Sequence, residues 1–292
     1  MSEIPADLQI NALDNELGQG VRIGERTRIA GVTGPAQRLR LGRHVLIGND
    51  VTILAPEIEI GDYTVIHNHT LIYGYGNVRI GAACWIGQNA VLNCSDELEV
   101  GRGCTISSYA NLWTHFSGGD ILQGCRFNSR QPLSLGEDCW IGVQCSVAPV
   151  RIGARSLLLA GSVLTKDIPA DRVWGGNPAR DMTERMGQPF EPRSPEAKYR
   201  IMCALLDRFC EGAPDLQPGE DLPATEESGR WPDDGYEREG ILLTHTGLRH
   251  PMYSVFDTAD RSFSALDTES EVRFMRWLLP LIRFYAREGS EL

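Results

Sequence analysis

An aliphatic residue followed by glycine returns along this chain in a fixed phase, in the segments RIGERT, RLGRHVLIGNDV, IGDYTV, IGAACWIGQNAV, VGRGCT, LGEDCWIGVQCSV and IGARSL. Counted on the aliphatic residue, the positions are Ile23 and Ile29; Leu41, Ile47, Ile53; Ile60, Ile66, Ile72; Ile80, Ile86, Leu92; Val100, Ile106, Leu112; Leu135, Ile141, Val147; and Ile152, Leu158, Leu164. The step inside each group is six. Groups start about eighteen to twenty residues apart where no loop intervenes. Six fits neither a helix period of 3.6 nor strand alternation at 2, but it fits a strand of a few residues that ends in a corner, three times per coil. The expected object is a triangular prism of roughly eight coils, about 35 to 40 Å tall at the spacing of parallel strands.

Glycine directly after the aliphatic residue, with Asn49, Asp50, Asp62, Asn89 and Asp138 near the next corner, suggests backbone conformations that bulky side chains resist. Two residues before the next aliphatic position stands a small or β-branched side chain: Thr27, Val45, Val51, Thr64, Thr70, Ala90, Ala110, Ser156 or Ser162. Cys84, Cys104, Cys139 and Cys145 share that slot, so they read as small hydrophobes stacked inside the prism.

This pattern resembles the hexapeptide-repeat acyltransferase family. The resemblance implies a mainly β fold, a left-handed parallel β-helix over residues 18–186. An N-terminal segment, 1–17, precedes it, and a small C-terminal α+β extension, 187–292, follows. The hand comes from the resemblance, since general topology favours right-handed parallel crossovers. The open ends and flat outer walls of such a prism need covering, and the family implies a homotrimer.

Composition narrows the partners. A formal charge of −11 over 292 residues disfavours nucleic acid or an anionic membrane surface, both of which select a basic footprint. Any phosphate-bearing ligand then requires a local basic cluster. The acidic, polar start MSEIPADLQ and the short apolar runs read as neither signal peptide nor membrane anchor. With eight cysteines and no CxxC pair, reduced thiols and a cytoplasmic location are expected.

The six-residue phase is lost between Leu112 and Leu135, in WTHFSGGDILQGCRFNSRQPLS, and excursions from a rigid scaffold are where function concentrates. A hydroxyl nucleophile needs a base near neutral pH, the range of histidine. His115 is the candidate. The segment is similar to the sugar and xenobiotic acetyltransferase branch, where a loop histidine followed by a coil like LGEDCWIG acts as general base. His67, His69, Asn111 and Asp120 are weaker candidates for the acceptor pocket. His44 reads as a solvent-facing corner residue, and His245 and His250 lie beyond the prism without a role. The carbonic anhydrase branch of the fold binds metal through histidines that include an HxxxxH pair; the histidines here are read as lacking that spacing, with His67 and His69 taken as the close pair, and no metal is expected.

The segment LLLAGSVLTKDIPADRVWGGNPARDM, residues 157–182, resembles the family's acyl-CoA segment, GAGSVVTKD with a closing GNPA and a basic residue, although Leu159 stands where glycine is usual. The resemblance implies an acetyl-CoA or other acyl-CoA co-substrate. Ala160 and Gly161 would line the pantetheine track, Lys166 would approach the phosphates, and Gly176, Asn177, Pro178 and Arg180 would turn beneath the adenine. Trp140 would sit beside the reacting groups. In the family the acyl chain lies between two subunits.

Beyond Ser194 the period changes. Ser194 and Pro195 read as N-cap and first helical residue ahead of Ile201, Met202, Leu205, Leu206 and Phe209. Residues 211–235 read as a loop, 238–266 as two or three strands, and Thr268 with Glu271 as a capping box before a helix that Pro280 kinks or restarts.

The functional expectation is an acyl-CoA-dependent O- or N-acyltransferase acting on a sugar, with a nucleotide-linked amino sugar or a surface-polysaccharide precursor as acceptor. The rival readings are a non-catalytic β-helix scaffold and a metal-dependent hydratase.

Overall fold

The computed structural model describes residues 9–216 and 232–287, and the chain forms two compact units, Met1–Phe190 and Glu191–Leu292. Among the described residues of the first unit, the hexads become three walls of parallel strands. The first wall stacks eight strands, from Gln9–Ile10 to Val163–Leu164. The second stacks seven, from Ala12–Leu17 to Arg151–Ile152, and the third nine, from Arg22–Ile23 to Val173–Gly176 and the antiparallel Ala179–Asp181. The chain visits the walls in turn, so each coil adds one strand to each.

Register follows the repeat. Ile29, Ile53, Ile72, Leu92, Leu112, Val147 and Leu164 align on the first wall. Leu41, Ile60, Ile80, Val100, Leu135 and Ile152 align on the second, and the third wall does the same from Ile23 to Leu158. All of these residues point inward; the most exposed of them, Ile23, is 6% accessible. Parallel stacking of like aliphatic side chains thus makes one continuous core.

The prism starts before residue 18. Gln9–Ile10 and Ala12–Leu17 pair in parallel with the first strands of the next coil, so the end of the 1–17 segment belongs to the repeat. Leu17, followed by Gly18 and aligned with Leu41, is the missing first member of the Ile23 and Ile29 group.

The corners correct the expected role of glycine. Left-handed corner residues include Asp50, Asn89 and Asp138, as expected, and also bulky His44, Tyr63, His69 and Tyr109, at φ of +54° to +62°, whereas Gly42 and Gly48 keep ordinary φ. Those glycines are needed for closeness. A Cβ on Gly48 would lie 2.3 Å from Asn68 Oδ1 and one on Gly42 would lie 2.4 Å from Asp62 Oδ1. These same oxygens accept the backbone N–H of Asn49 at 2.8 Å and of Arg43 at 2.7 Å, which satisfies donors that a corner leaves without a strand partner.

The small-residue slot is equally specific. Thr64 Oγ1 donates to Gly81 O at 2.7 Å, Cys84 Sγ to Gly101 O at 3.2 Å, Cys104 Sγ to Gly136 O at 3.0 Å, Cys139 Sγ to Gly153 O at 3.2 Å and Ser156 Oγ to Pro169 O at 2.8 Å. From Thr64 to Ser156 this corner carries, in each coil, a small side chain with a donor for the corner carbonyl of the coil above, whereas Val45, one coil below, fills the slot by volume alone.

The walls differ outside. On the second wall Asp14, Arg38, Glu57 and Glu16, Arg40, Glu59, Arg79 alternate in sign from strand to strand, and the Arg38–Asp14, Arg40–Glu16 and Arg79–Glu59 pairs stand at 3.6, 3.4 and 3.8 Å. The outer residues of the other two walls are mixed: Leu71, Tyr73 and Val91 stand among Arg28, Thr52, Asn111 and Ser146 on the first, and Leu46, Trp85 and Trp140 among Arg22 and Thr105 on the third. A short helix α1, Thr183–Met186, follows the last hairpin.

In the second unit, helix α2 spans Pro195–Cys210, with Ser194 Oγ accepting the Ala197 N–H at 3.2 Å. Its described strands are Tyr236–Arg238, Ile241–Thr244, Ser254–Asp257, Ser262–Phe263 and Tyr285–Ala286, which form one mixed sheet; three of them lie within 238–266, where two or three are expected, and one before and one after join them. Helix α3, Glu269–Leu278, opens on Thr268, whose Oγ1 accepts the Glu271 N–H at 3.2 Å. The Glu271 carboxylate reaches past the cap to the N–H groups of Leu266 and Asp267. Pro280 neither kinks nor restarts this helix: the helix ends at Leu278 and the chain turns toward the last strand. Phe209, Phe256, Phe263 and Phe274 pack as the core. Of the expected 211–235 loop, residues 217–231 lie outside the described part, as does most of the MSEIPADLQ start.

Candidate active site

The phase break becomes a hairpin at the corner between the first and second walls. Strand His115–Ser117 pairs antiparallel with Asn128–Arg130, His115 opposite Arg130, before the chain re-enters the second wall at Leu133–Leu135. The hairpin root is polar yet buried. Thr114 and Asn93 have no exposure, and Thr114 Oγ1 lies 3.1 Å from both Asn93 O and Asn93 Oδ1. His115, half-buried, places Nδ1 2.8 Å from Asn93 Oδ1, and its ring meets Trp113 edge-on at 6.1 Å. Asn93 and Thr114 escape sequence reading because a single Asn in a strand and a Thr in a loop carry no pattern. Past the root, Phe116, Ile121, Leu122 and Phe127 are exposed. Asp120 turns inward on its own loop, its Oδ1 accepting the Leu122 N–H at 2.8 Å.

The last strand of the first wall, Val163–Leu164, joins two other groups of candidates. At its start lies the corner of Ala160 and Gly161, the latter at φ +69° with no atom within 4 Å of where a Cβ would stand. At its end is Lys166, exposed. Five residues of extended chain separate Gly161 from Lys166, on the order of 16 Å. The strand carrying Leu112, which leads to His115, lies two strands below on the same wall, on the order of 10 Å away. Gly176 to Ala179 closes the final hairpin around the cis Asn177–Pro178 bond, and Gly176 N–H donates to Ser162 Oγ at 3.0 Å. Arg180 is exposed beside it, its Nη1 donating to Ala179 O at 2.9 Å. An open corner of small residues flanked by two cations fits an extended, phosphate-ended ligand. Leu159 departs from that fit: its side chain lies against the hairpin, 2.9 Å from where a Cβ on Gly175 would be.

The remaining candidates lie elsewhere on the prism. Trp140 sits on the third wall, its Nε1 donating to Ser107 Oγ at 3.1 Å, and not beside His115 of the same chain. Asn111 is on the first wall, with Nδ2 donating to Tyr109 O at 3.1 Å. His67 and His69 occupy the corner between the third and first walls, two coils below His115. His67 packs on Trp85 at 4.6 Å, and burial pushes its pKa down. His69 Nδ1 stands 3.8 Å from Asp50. Within one chain, therefore, neither histidine meets His115, because three hexads return the chain to the same corner and these histidines belong to a different corner from His115. His245 and His250 have HxxxxH spacing in the second unit, but among the described residues no group of three or more His, Cys, Asp or Glu side chains is placed to hold a metal ion.

Residues 132–166 match the hexapeptide repeat of succinyl-transferase. Over 149 residues the chain is 30% identical to a protein provisionally named the colanic acid biosynthesis acetyltransferase WcaF of Escherichia coli K12, an alignment that takes in 50% of this chain and 70% of that protein. The chain belongs to the hexapeptide-repeat acetyltransferase family.

Its three walls are those of the family's left-handed parallel β-helix, and as a family member it is an acyltransferase. The galactoside O-acetyltransferase of Escherichia coli K12 is 32% identical over 117 residues, covering 38% of this chain and 57% of that enzyme. Among solved structures, a polySia-specific acetyltransferase, NeuO, aligns with a TM-score of 0.45 at 20% identity over 61% of this chain and 86% of its own.

Proposed function

We propose that this hexapeptide-repeat acetyltransferase moves an acyl group, in the first instance acetyl, from coenzyme A to a hydroxyl or amine of a sugar. The acceptor classes in view are a nucleotide-linked amino sugar and a surface-polysaccharide precursor. The observation that carries the reading is His115, held on a buried asparagine at the one break in the repeat, on the wall that ends in Lys166. His115 takes the proton of the acceptor hydroxyl as that oxygen attacks the thioester carbonyl; the C–S bond then breaks, and the departing coenzyme A thiolate takes up the proton from His115, which returns to its neutral form. Ala160 and Gly161 leave room for the donor's arm, and Lys166, with Arg180 near the terminal hairpin, offsets its phosphates in a chain of net charge −11. Bound acyl-CoA supplies the activated carbonyl.

A homotrimer belongs to this reading. A closed ring uses two different faces of each subunit, and the first and third walls carry more apolar and aromatic side chains outward than the second, whose strands are lined with charges. The exposed Phe116, Ile121, Leu122 and Phe127 of the His115 hairpin suit a neighbouring subunit, which would bring Trp140 of another copy toward His115. A cytoplasmic site of action is in keeping with eight free cysteines. No helix among the described residues is long and apolar enough to cross a membrane.

The test follows free CoA release from acetyl-CoA across nucleotide sugars, amino sugars and simple glycosides. Turnover of a hydroxyl acceptor is expected to fall at least about 100-fold in His115→Ala, and undiminished turnover removes His115 from the chemistry. Acetyl-CoA at 100 times its Kd should stabilise the fold by about 2.7 kcal/mol; a melting temperature that ignores acetyl-CoA would favour a non-catalytic scaffold.

A further inference from the structure

A neutral imidazole carries one proton, so the nitrogen that donates to Asn93 decides which nitrogen is left to act. The contact joins His115 Nδ1 to Asn93 Oδ1 at 2.8 Å, and the surroundings identify the amide atoms. Oδ1 also accepts the backbone N–H of Ser95 at 3.1 Å, and a backbone N–H is donor only. The amide nitrogen Nδ2 donates to Tyr73 O at 3.3 Å, an acceptor only. Turning the amide over would set N–H against N–H and oxygen against oxygen, leaving two groups of a fully buried side chain unsatisfied. The atom facing His115 is therefore the oxygen. Nδ1 must carry the proton, and Nε2 keeps the lone pair.

We propose that Asn93 is a positioning residue of the transfer reaction, holding His115 in the Nδ1–H tautomer with Nε2 presented as the base. The proposal rests on the reading of His115 as base. A neutral orienting group has a specific consequence. A carboxylate in the same place would also accept from Nδ1–H but would favour the protonated imidazolium, whereas the amide fixes geometry and leaves the ring free to cycle its proton. The charged groups around the hairpin root offset one another: Arg130, register partner of His115, stands 3.7 Å from Asp96. Thr114 completes the cradle, accepting the Asp96 N–H at 3.0 Å on the oxygen whose proton faces Asn93.

Nitrogen-15 NMR of the intact protein at pH about 8, above the histidine range, reads the tautomer directly, with the His115 signals identified by their loss in His115→Gln. The expected spectrum has a protonated, pyrrole-type Nδ1 and a pyridine-type Nε2; a pyridine-type Nδ1 overturns the proposal even in the unsubstituted protein. In kinetics, Asn93→Ala should lower kcat/KM by about 10- to 100-fold, mainly in kcat, because an orienting contact matters most in the transition state. Asn93→Asp should move the acidic limb of the kcat/KM profile upward by about one pH unit or more. A limb that stays in place in Asn93→Asp, with His115→Ala inactive, sinks the role of Asn93 and leaves the base intact. Full turnover in His115→Ala sinks both.

Discussion

The thiol of Cys104 shows how much a single side chain is asked to do in this fold. Buried without exposure, it donates to Gly136 O at 3.0 Å, and Thr64 and Ser156 make the same bond elsewhere in the column. Volume and donor both contribute at Cys104, although Val45 fills the same slot three coils below without a donor, so two near-isosteres separate the contributions. Cys104→Val fills the slot and leaves a buried carbonyl bare, a cost of about 1 to 3 kcal/mol. Cys104→Ser keeps the donor and should cost clearly less than Cys104→Val in urea unfolding. Equal losses would mean that packing alone selects the slot. His115 illustrates the other half of residue-scale reading. Its candidacy was legible from its place in a broken repeat, but the buried Asn93 that holds it was not.

At the scale of elements, the second wall is a set of charges stacked in register. Parallel strands place like positions directly above one another, so a strict repeat of sequence would have stacked like charges. The alternation of Glu16, Arg40, Glu59 and Arg79 avoids this. Arg40→Glu aligns three carboxylates and is expected to destabilise the protein by about 1 kcal/mol or less. The loss should shrink in molar salt, where exposed charges are screened within a few ångströms. A melting difference between Arg40→Glu and the unsubstituted protein that is indifferent to salt would show that the ladder is not electrostatic. Nothing of this kind holds on the first and third walls, whose strands carry Val, Tyr and Trp outward.

At the scale of the whole molecule, that asymmetry becomes an expectation about assembly. Two faces richer in apolar and aromatic side chains and one charged face suit a ring in which each copy presents its first wall to a neighbour's third. Sedimentation should give a mass three times that of the chain. Trp85→Glu, on the outer face of the third wall at 37% exposure, should shift the population toward smaller species. A stable monomer in the unsubstituted protein would refute both the ring and a catalytic site shared between copies. The second unit has its own sheet and aromatic core, and its fold explains itself without assigning it a task.

A six-residue period is a property of the chain alone, because each coil rests only on its neighbours; reading it therefore places the inward aliphatic column, the three walls and the break at His115. The corners were legible in position but not in cause, since glycine at Gly42 and Gly48 answers to an Asx oxygen of the next coil and not to its own torsion angles. What the tertiary structure alone decided were contacts across coils. The 22 residues between Asn93 and His115, the shared wall of His115, Lys166 and Gly161, and the separation of His67, His69 and Trp140 from them all depend on how many residues each coil and excursion consumes, a sum over the winding that no local pattern records.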